Sequence, residues 1–329
     1  MYLKSCTLRG IAVCSLFFLS AHARAEKPGE TPWASNTSGP FFTGTADAEP
    51  AGSYYLEPFL YYYLTPGQGA KQYNMQQRLS TGWKHHYEFD IYAPLIYAAA
   101  GPPNTPLGVT ASHFGLGNTH LELKKQLVKE NDRSHIFRMP SLALTANLYI
   151  PTGKYQNLNP KDYGIDQLGN GTWNEEINAL LRKECRPFEV YLQLSDIVQN
   201  PTTVSGGYTY NNNITVVPDG QTVHMVDGNL LYYAGALEYV ALPKYGIGGL
   251  IEYNGEWQNS HSLFFGTANA PSWSFFHMGP ELEWTWPNSS KHPITWGGGY
   301  MFPVARTGYP RTFIPMFTVT WYNNRGGAR

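Results

Sequence analysis

The chain has 329 residues, 15% of them aromatic and only 14% charged, with 24 tyrosines and a net charge of −1. A soluble domain carries about a quarter charged residues, and a helical membrane protein needs apolar runs of about 20 residues. Beyond Ala25 there is no such run, and no basic cluster invites a nucleic-acid partner.

The first segment, 1–25, reads as an export signal. Lys4 and Arg9 supply its positive end, Ile11–Leu19 its apolar stretch, and small residues offer cleavage after Ala23 or after Ala25. Cys14 follows Val13, where a lipoprotein site wants a small residue. Cys6 and Cys14 leave with the signal, so Cys185 stays alone and an internal disulfide is excluded. Residues 26–51, rich in Pro, Thr, Ser, Gly and Ala, read as an extended periplasmic lead-in whose one strong apolar pair is Phe41-Phe42.

From 52 to 329 the pattern is that of one all-β domain, an antiparallel transmembrane barrel of about 12 strands. Aromatic, alternating blocks such as Ser53–Thr65 and Tyr87–Tyr97 recur between turn signals. The strands are expected near 52–65, 72–82, 86–98, 115–128, 135–150, 172–184, 187–199, 228–241, 245–259, 271–286, 293–304 and 312–323. Short links (129–134, 186–187, 242–244, 287–292) alternate with long ones (151–171, 200–227, 260–270), as periplasmic turns alternate with outer loops. An even count returns both ends to one side. In 172–184 the residues Glu176, Ile177, Leu180, Leu181 and Glu184 also fit a loop helix, and that alternative stays open.

Residues i and i+2 share a face of a strand, so parity separates the lipid side from the lumen. Leu121, Leu123 and Leu127 oppose His120, Glu122, Lys124 and Gln126. Ile251, Tyr253 and Trp257 oppose Glu252 and Glu256; Met278, Leu282, Trp284 and Trp286 oppose His277, Glu281 and Glu283. With Arg78, Glu88, Asp90 and Glu238 these polar residues form the expected lumen lining. Buried carboxylates need water or basic partners. The lining is therefore either an acidic, hydrated bore or a paired and filled interior. Alternating strands also build soluble sandwiches; segment length, aromatics near strand ends and the export signal favour the membrane.

Catalytic and metal patterns are sparse. Asn259-Ser260-His261-Ser262 is the nearest approach to a lipid hydrolase, but it falls in an outer loop without strand spacing to hold a triad. His85-His86 reads as a turn pair, Gly246-Ile247-Gly248-Gly249 as relief of crowding, and Tyr208–Asn213 as an outer loop able to bind sugar or plug the mouth. No catalytic residue, cofactor or metal is expected.

Phe114-Gly115-Leu116-Gly117-Asn118, followed by Leu121-Glu122-Leu123-Lys124, resembles the glycine-aspartate strand signature of the MetA-pathway phenol-degradation outer-membrane family. Ile150-Pro151-Thr152-Gly153-Lys154-Tyr155 is similar to the end of that family's following strand, and Gly39-Pro40-Phe41-Phe42-Thr43 with Asp47 and Glu49-Pro50 to its lead-in. Asn118 departs from the usual Asp. The resemblance implies a transporter-like barrel in the bacterial outer membrane that passes small, often apolar or aromatic molecules. On residues alone, Gly115 and Gly117 give close backbone approach and Pro151 ends a ladder.

The expectation is thus a porin-like channel or facilitator, with a lipid-modifying enzyme and a plugged structural or adhesive barrel as alternatives. Its expected partners are the bilayer with lipopolysaccharide, a small-molecule solute, and the barrel-assembly machinery. For that machinery Trp321-Tyr322 are unusual in being followed by a polar tail, 323–329.

Overall fold

The structure is a computed structural model that describes residues 39–65, 70–101, 110–130, 139–159, 162, 165–185, 187–206, 209–210, 215–217, 220–226, 228–242, 245–259, 261–264, 269–270, 272–286 and 292–323. Residues 1–38, which hold the segment read as an export signal and the first half of the expected lead-in, lie outside them, as do Ser260, most of Tyr208–Asn213 and the tail after Asn323.

The long strands are β1 (Tyr54–Leu64), β2 (Ala70–Trp83), β3 (Tyr87–Ala100), β4 (Ala111–Leu116), β5 (Thr119–Val128), β6 (Ser141–Ile150), β7 (Asn174–Cys185) and β8 (Phe188–Gln199). Four short strands follow: β9 (Thr202–Ser205), β10 (Thr209–Tyr210), β11 (Thr215–Val216) and β12 (Thr222–Val226). Next come β13 (Leu230–Leu242) and β14 (Ile247–Gln258), the short β15 (His261–Phe264) and β16 (Asn269–Ala270), then β17 (Trp273–Trp286), β18 (Ile294–Thr307) and β19 (Ile314–Asn323). The main sheet has 13 strands, all paired antiparallel. Because β4 and β5 both pair with β3 as two halves of one stave, it is a 12-stave sheet. It is closed: β1 bonds β2 on one side and β19 on the other. Closure pairs every long stave on both sides, the condition for a sheet in lipid, except along β4, which among the described strands pairs with β3 alone.

Strand alternation sorts the side chains. In β17 His277, Gly279, Glu281, Glu283 and Thr285 are buried, while Met278, Leu282, Trp284 and Trp286 are exposed. The same rule leaves Leu56, Leu60, Leu79, Ile91, Leu123, Leu144, Ile177, Leu194, Leu237, Ile251 and Phe317 on the outside. Trp83, Tyr87, Tyr239, Trp286 and Trp321 ring one rim; Tyr73, Tyr97, Trp173 and Trp257 ring the other. Two aromatic girdles around an apolar band make an outer surface suited to a bilayer and costly in water.

The region 172–184 is strand, not loop helix: β7 runs paired along both β6 and β8, with Asn174, Glu176, Asn178 and Leu180 inward. The fourth stave starts earlier than 115 and is interrupted at Gly117-Asn118, where Gly117 N–H donates to Pro94 O at 2.8 Å. A Cβ on Gly117 would sit 2.7 Å from Ile96 Cδ1, so a larger residue at the break would have to displace the Ile96 side chain. Thr152 joins this break to the Pro-Thr-Gly motif: its hydroxyl donates to Gly117 O (2.7 Å) and accepts from Thr119 N–H (2.9 Å). In the fifth stave β6 begins at Ser141, after Met139 and Pro140 outside the strand, and the expected residues 135–138 lie outside the described ones.

At the rim where β1 begins and β19 ends, β2 turns into β3 through Lys84–His86, with His85 and His86 at φ 62° and 61°. The opposite rim carries the long links. These were expected as plain loops, yet they contain a sheet in the order β16-β15-β12-β9 over a small core of Leu158, Val204, Val217, Val223 and Met225.

Residues 39–51 do not run as an extended segment outside the sheet. They lie within the barrel, bonded to inward side chains of β3, β5, β6, β7, β8 and β14.

Candidate functional site

The barrel interior has three zones. The first is an ionic network on β1, β2, β3 and β5. Arg78 bridges Asp90 at 3.0 Å and Glu57 and Glu88 at 3.5 Å, and its guanidinium lies over Tyr55 and Tyr92, 5.0 and 5.2 Å from the ring centroids. Lys124 reaches Glu88 at 2.8 Å and Glu122 at 4.0 Å. These strands are adjacent and the residues share the inward parity, so the register itself assembles the network.

The second zone is the inner segment 39–51, held along its length by polar side chains of the wall. Glu252 accepts from Phe42 N–H (2.9 Å), Thr43 N–H (2.6 Å) and the Thr43 hydroxyl (2.7 Å). Gly44 N–H donates to Gln193 (2.7 Å) and Glu49 N–H to Glu88 (2.7 Å). Asp47 pairs with Arg182 at 2.5 Å and accepts from Gln126 and Ser141. Arg182 also holds Glu189, and the Tyr191 hydroxyl lies between Glu189 and Glu238. Backbone donors inside a barrel need acceptors, and the wall carboxylates and amides provide them. The segment returns to the wall where Gly52 N–H donates to Gly82 O at 2.9 Å.

The third zone is a cavity of about 370 Å³ bounded by Pro40–Gly44 of the inner segment and by the barrel wall. Nine aromatic rings line it, Phe41, Phe42, Phe59, Tyr61, Tyr63, Tyr92, His120, Tyr149 and Tyr232, together with polar groups that include Arg78, Glu122, Lys124, Glu176 and Glu256. Tyr92, His120 and Tyr149, directly opposite one another on β3, β5 and β6, stack with centroids 4.5 and 4.3 Å apart. Tyr149 donates to Glu176 at 2.6 Å.

Of the residues expected to line the lumen, Arg78, Glu88, Asp90, Glu122 and Lys124 come together in the ionic network. Glu238 joins the Arg182 group, Glu252 holds the inner segment, and His120 and Glu256 face the cavity. Glu281 and Glu283 are buried on β17. His277 stands apart, with Nε2 3.1 Å from Thr312 O beside the link into β19. Glu57, Glu176 and Glu189 share this inward placement and were not singled out from sequence, although parity marks them in the same way. Asp47 carried no such signal. His261 and Ser262 belong to β15, and only their backbone is described. Among the described residues no group of three or more His, Cys, Asp or Glu is arranged to hold a metal ion.

A closed 12-stave barrel with an apolar outer band and a polar interior is the architecture of outer-membrane channels. The outer membrane channel of Pseudomonas putida F1 aligns over 85% of this chain and 98% of its own, with a TM-score of 0.64 and 14% identity. The NanC porin covers 81% of this chain and 98% of its own at 9% identity (TM-score 0.43), and the CymD monoaromatic hydrocarbon channel 85% and 90% at 8% identity (TM-score 0.38). No family model and no curated protein matches the chain. At these identities the likeness is one of fold.

Proposed function

We propose that the protein is a bacterial outer-membrane channel for small molecules, closed in this state by its own residues 39–51. The observation that carries this reading is a closed barrel with an apolar exterior whose bore is filled by a segment held through side-chain contacts, outside the barrel's strand ladder. The P. putida barrel, itself an outer membrane channel, supports the reading through fold. In this reading 1–25 is the signal, and the barrel takes over from about 52. Kinship with the phenol-degradation family rests on the two glycine motifs joined by Thr152, and passage of apolar or aromatic solutes would follow from it. No enzymatic role is assigned.

Planar-bilayer recording tests the proposal. Wild-type protein should show rare openings. Deleting 39–49, or substituting Glu252→Gln to weaken its three bonds to the segment, should raise open probability. The proposal falls if the deleted protein, shown to be folded by heat-shifted gel migration, conducts nothing. The plugged structural barrel would then be the better account.

A further inference from the structure

The cavity beside the inner segment is chemically one-sided. Of its tyrosines, three have committed their hydroxyls: Tyr149 to Glu176, Tyr232 to Phe42 O at 2.9 Å, and Tyr61 to Phe41 O at 3.5 Å. Those hydroxyls are therefore not free donors to the space, which the rings still line. The two basic groups in the lining are likewise engaged, Lys124 with Glu88 and Arg78 with Asp90 and Glu57.

Two carboxyl groups in the lining have no such countercharge. Glu176 is buried and held by neutral donors, Asn147 at 2.8 Å and Tyr149 at 2.6 Å. Glu256 has no hydrogen bond or basic partner among the described residues, and it lines the same cavity as Glu176. A carboxylate in aromatic surroundings without a countercharge is costly, and a bound cation offsets that cost. Ring faces attract the same ligand through their quadrupoles, most strongly when it is a desolvated ammonium.

We propose that this cavity is a binding site for a small organic ammonium, with Glu176 and Glu256 as its counter-charges and Phe42, Tyr61, Tyr149 and Tyr232 as its walls. The assignment rests on the channel reading and names a cationic solute in place of the apolar or aromatic ones that kinship with the phenol-degradation family would imply. An inorganic cation would leave the ring faces unused, a neutral aromatic would leave the glutamates uncompensated, and an anion would meet both with repulsion.

Titration calorimetry on the full-length protein in detergent tests this, with choline as the probe and 3,3-dimethylbutan-1-ol as its neutral isostere. Choline should bind at least about tenfold more tightly than the alcohol. Combined Glu176→Gln and Glu256→Gln substitution should bring the two within about threefold, with unchanged heat-shifted migration as the folding control. Equal or tighter binding of the alcohol by wild type, a preference that survives the double substitution, or no binding of choline would each overturn the assignment. Calorimetry does not require conduction. Failure here with a conducting deletion variant therefore removes the site and leaves the channel, whereas a non-conducting barrel that still binds choline removes the channel and leaves the site.

Discussion

Lys124 is 1% exposed, and its stem passes through the barrel interior to reach Glu88, which itself is 1% exposed. Two ions so deeply placed are tolerable only as a pair, because each alone would cost several kcal/mol of lost hydration. Glu88 has further support from Arg78 and from Glu49 N–H, so its charge is shared between wall and inner segment. Lys124→Met should destabilise the barrel by about 3 kcal/mol, by stranding part of that charge. The loss is measured as a lower temperature for the shift from fast to slow gel migration. Lys124→Met with Glu88→Met should recover most of it, since well-packed apolar pairs replace buried ion pairs at little cost. If the single substitution left the transition unmoved, the pair would be exchanging with water and the ionic zone would be open.

At the scale of the strand, Gly82 shows how β2 and the inner segment were fitted to each other. A Cβ there would lie 2.3 Å from both Glu49 O and Pro50 O, and these are backbone atoms that cannot swing aside. Gly82→Ala should therefore push the 49–52 return off the wall while β2 keeps its pairing with β1 and β3. More frequent openings in bilayers and faster protease cleavage within 39–51 are the expected readouts; unchanged gating would mean the return can shift without freeing the rest. Thr152→Val removes the bonds that tie the β6 end to the break between β4 and β5, and should cost about 1–2 kcal/mol in the same gel transition.

The staves themselves were legible because alternation is local: each strand announces its own two faces, and β7 is strand because Glu176 and Asn178 share the inward parity across two neighbours. What filled the barrel was not legible. Residues 39–51 have no alternation, and their contacts join positions as far apart as Asp47 and Arg182, or Phe42 and Glu252, which no periodicity links. The aromatic cavity was hidden for a different reason. Tyrosines face both lipid and lumen, as Tyr62 outward beside Tyr73 and Tyr61 inward against Phe59, so aromatic content alone cannot place them.

For the whole molecule, the balance of charge decides what an opened bore would pass. With 39–49 removed, Asp47 and Glu49 leave as well, and Arg182 loses one of its two acidic partners. The wall still presents Glu57, Glu88, Asp90, Glu122, Glu176, Glu189, Glu238, Glu252, Glu256, Glu281 and Glu283 against Arg78, Lys124 and Arg182. Acids outnumber bases even after each base is paired, and a ring of carboxyl groups in a narrow pore concentrates cations. Under a KCl gradient the deleted barrel should give a reversal potential on the cation-selective side. Screening within about 10 Å at 0.1 M and about 3 Å at 1 M should shrink that potential as salt rises. Joint Glu252→Gln and Glu281→Gln substitution should shrink it at low salt, because these two are buried wall acids with no ion pair to a basic side chain among the described residues. A non-selective or anion-selective deleted barrel would mean that the carboxyl groups are protonated or turned from the path. Solute choice would then rest on the shape of the aromatic cavity rather than on charge.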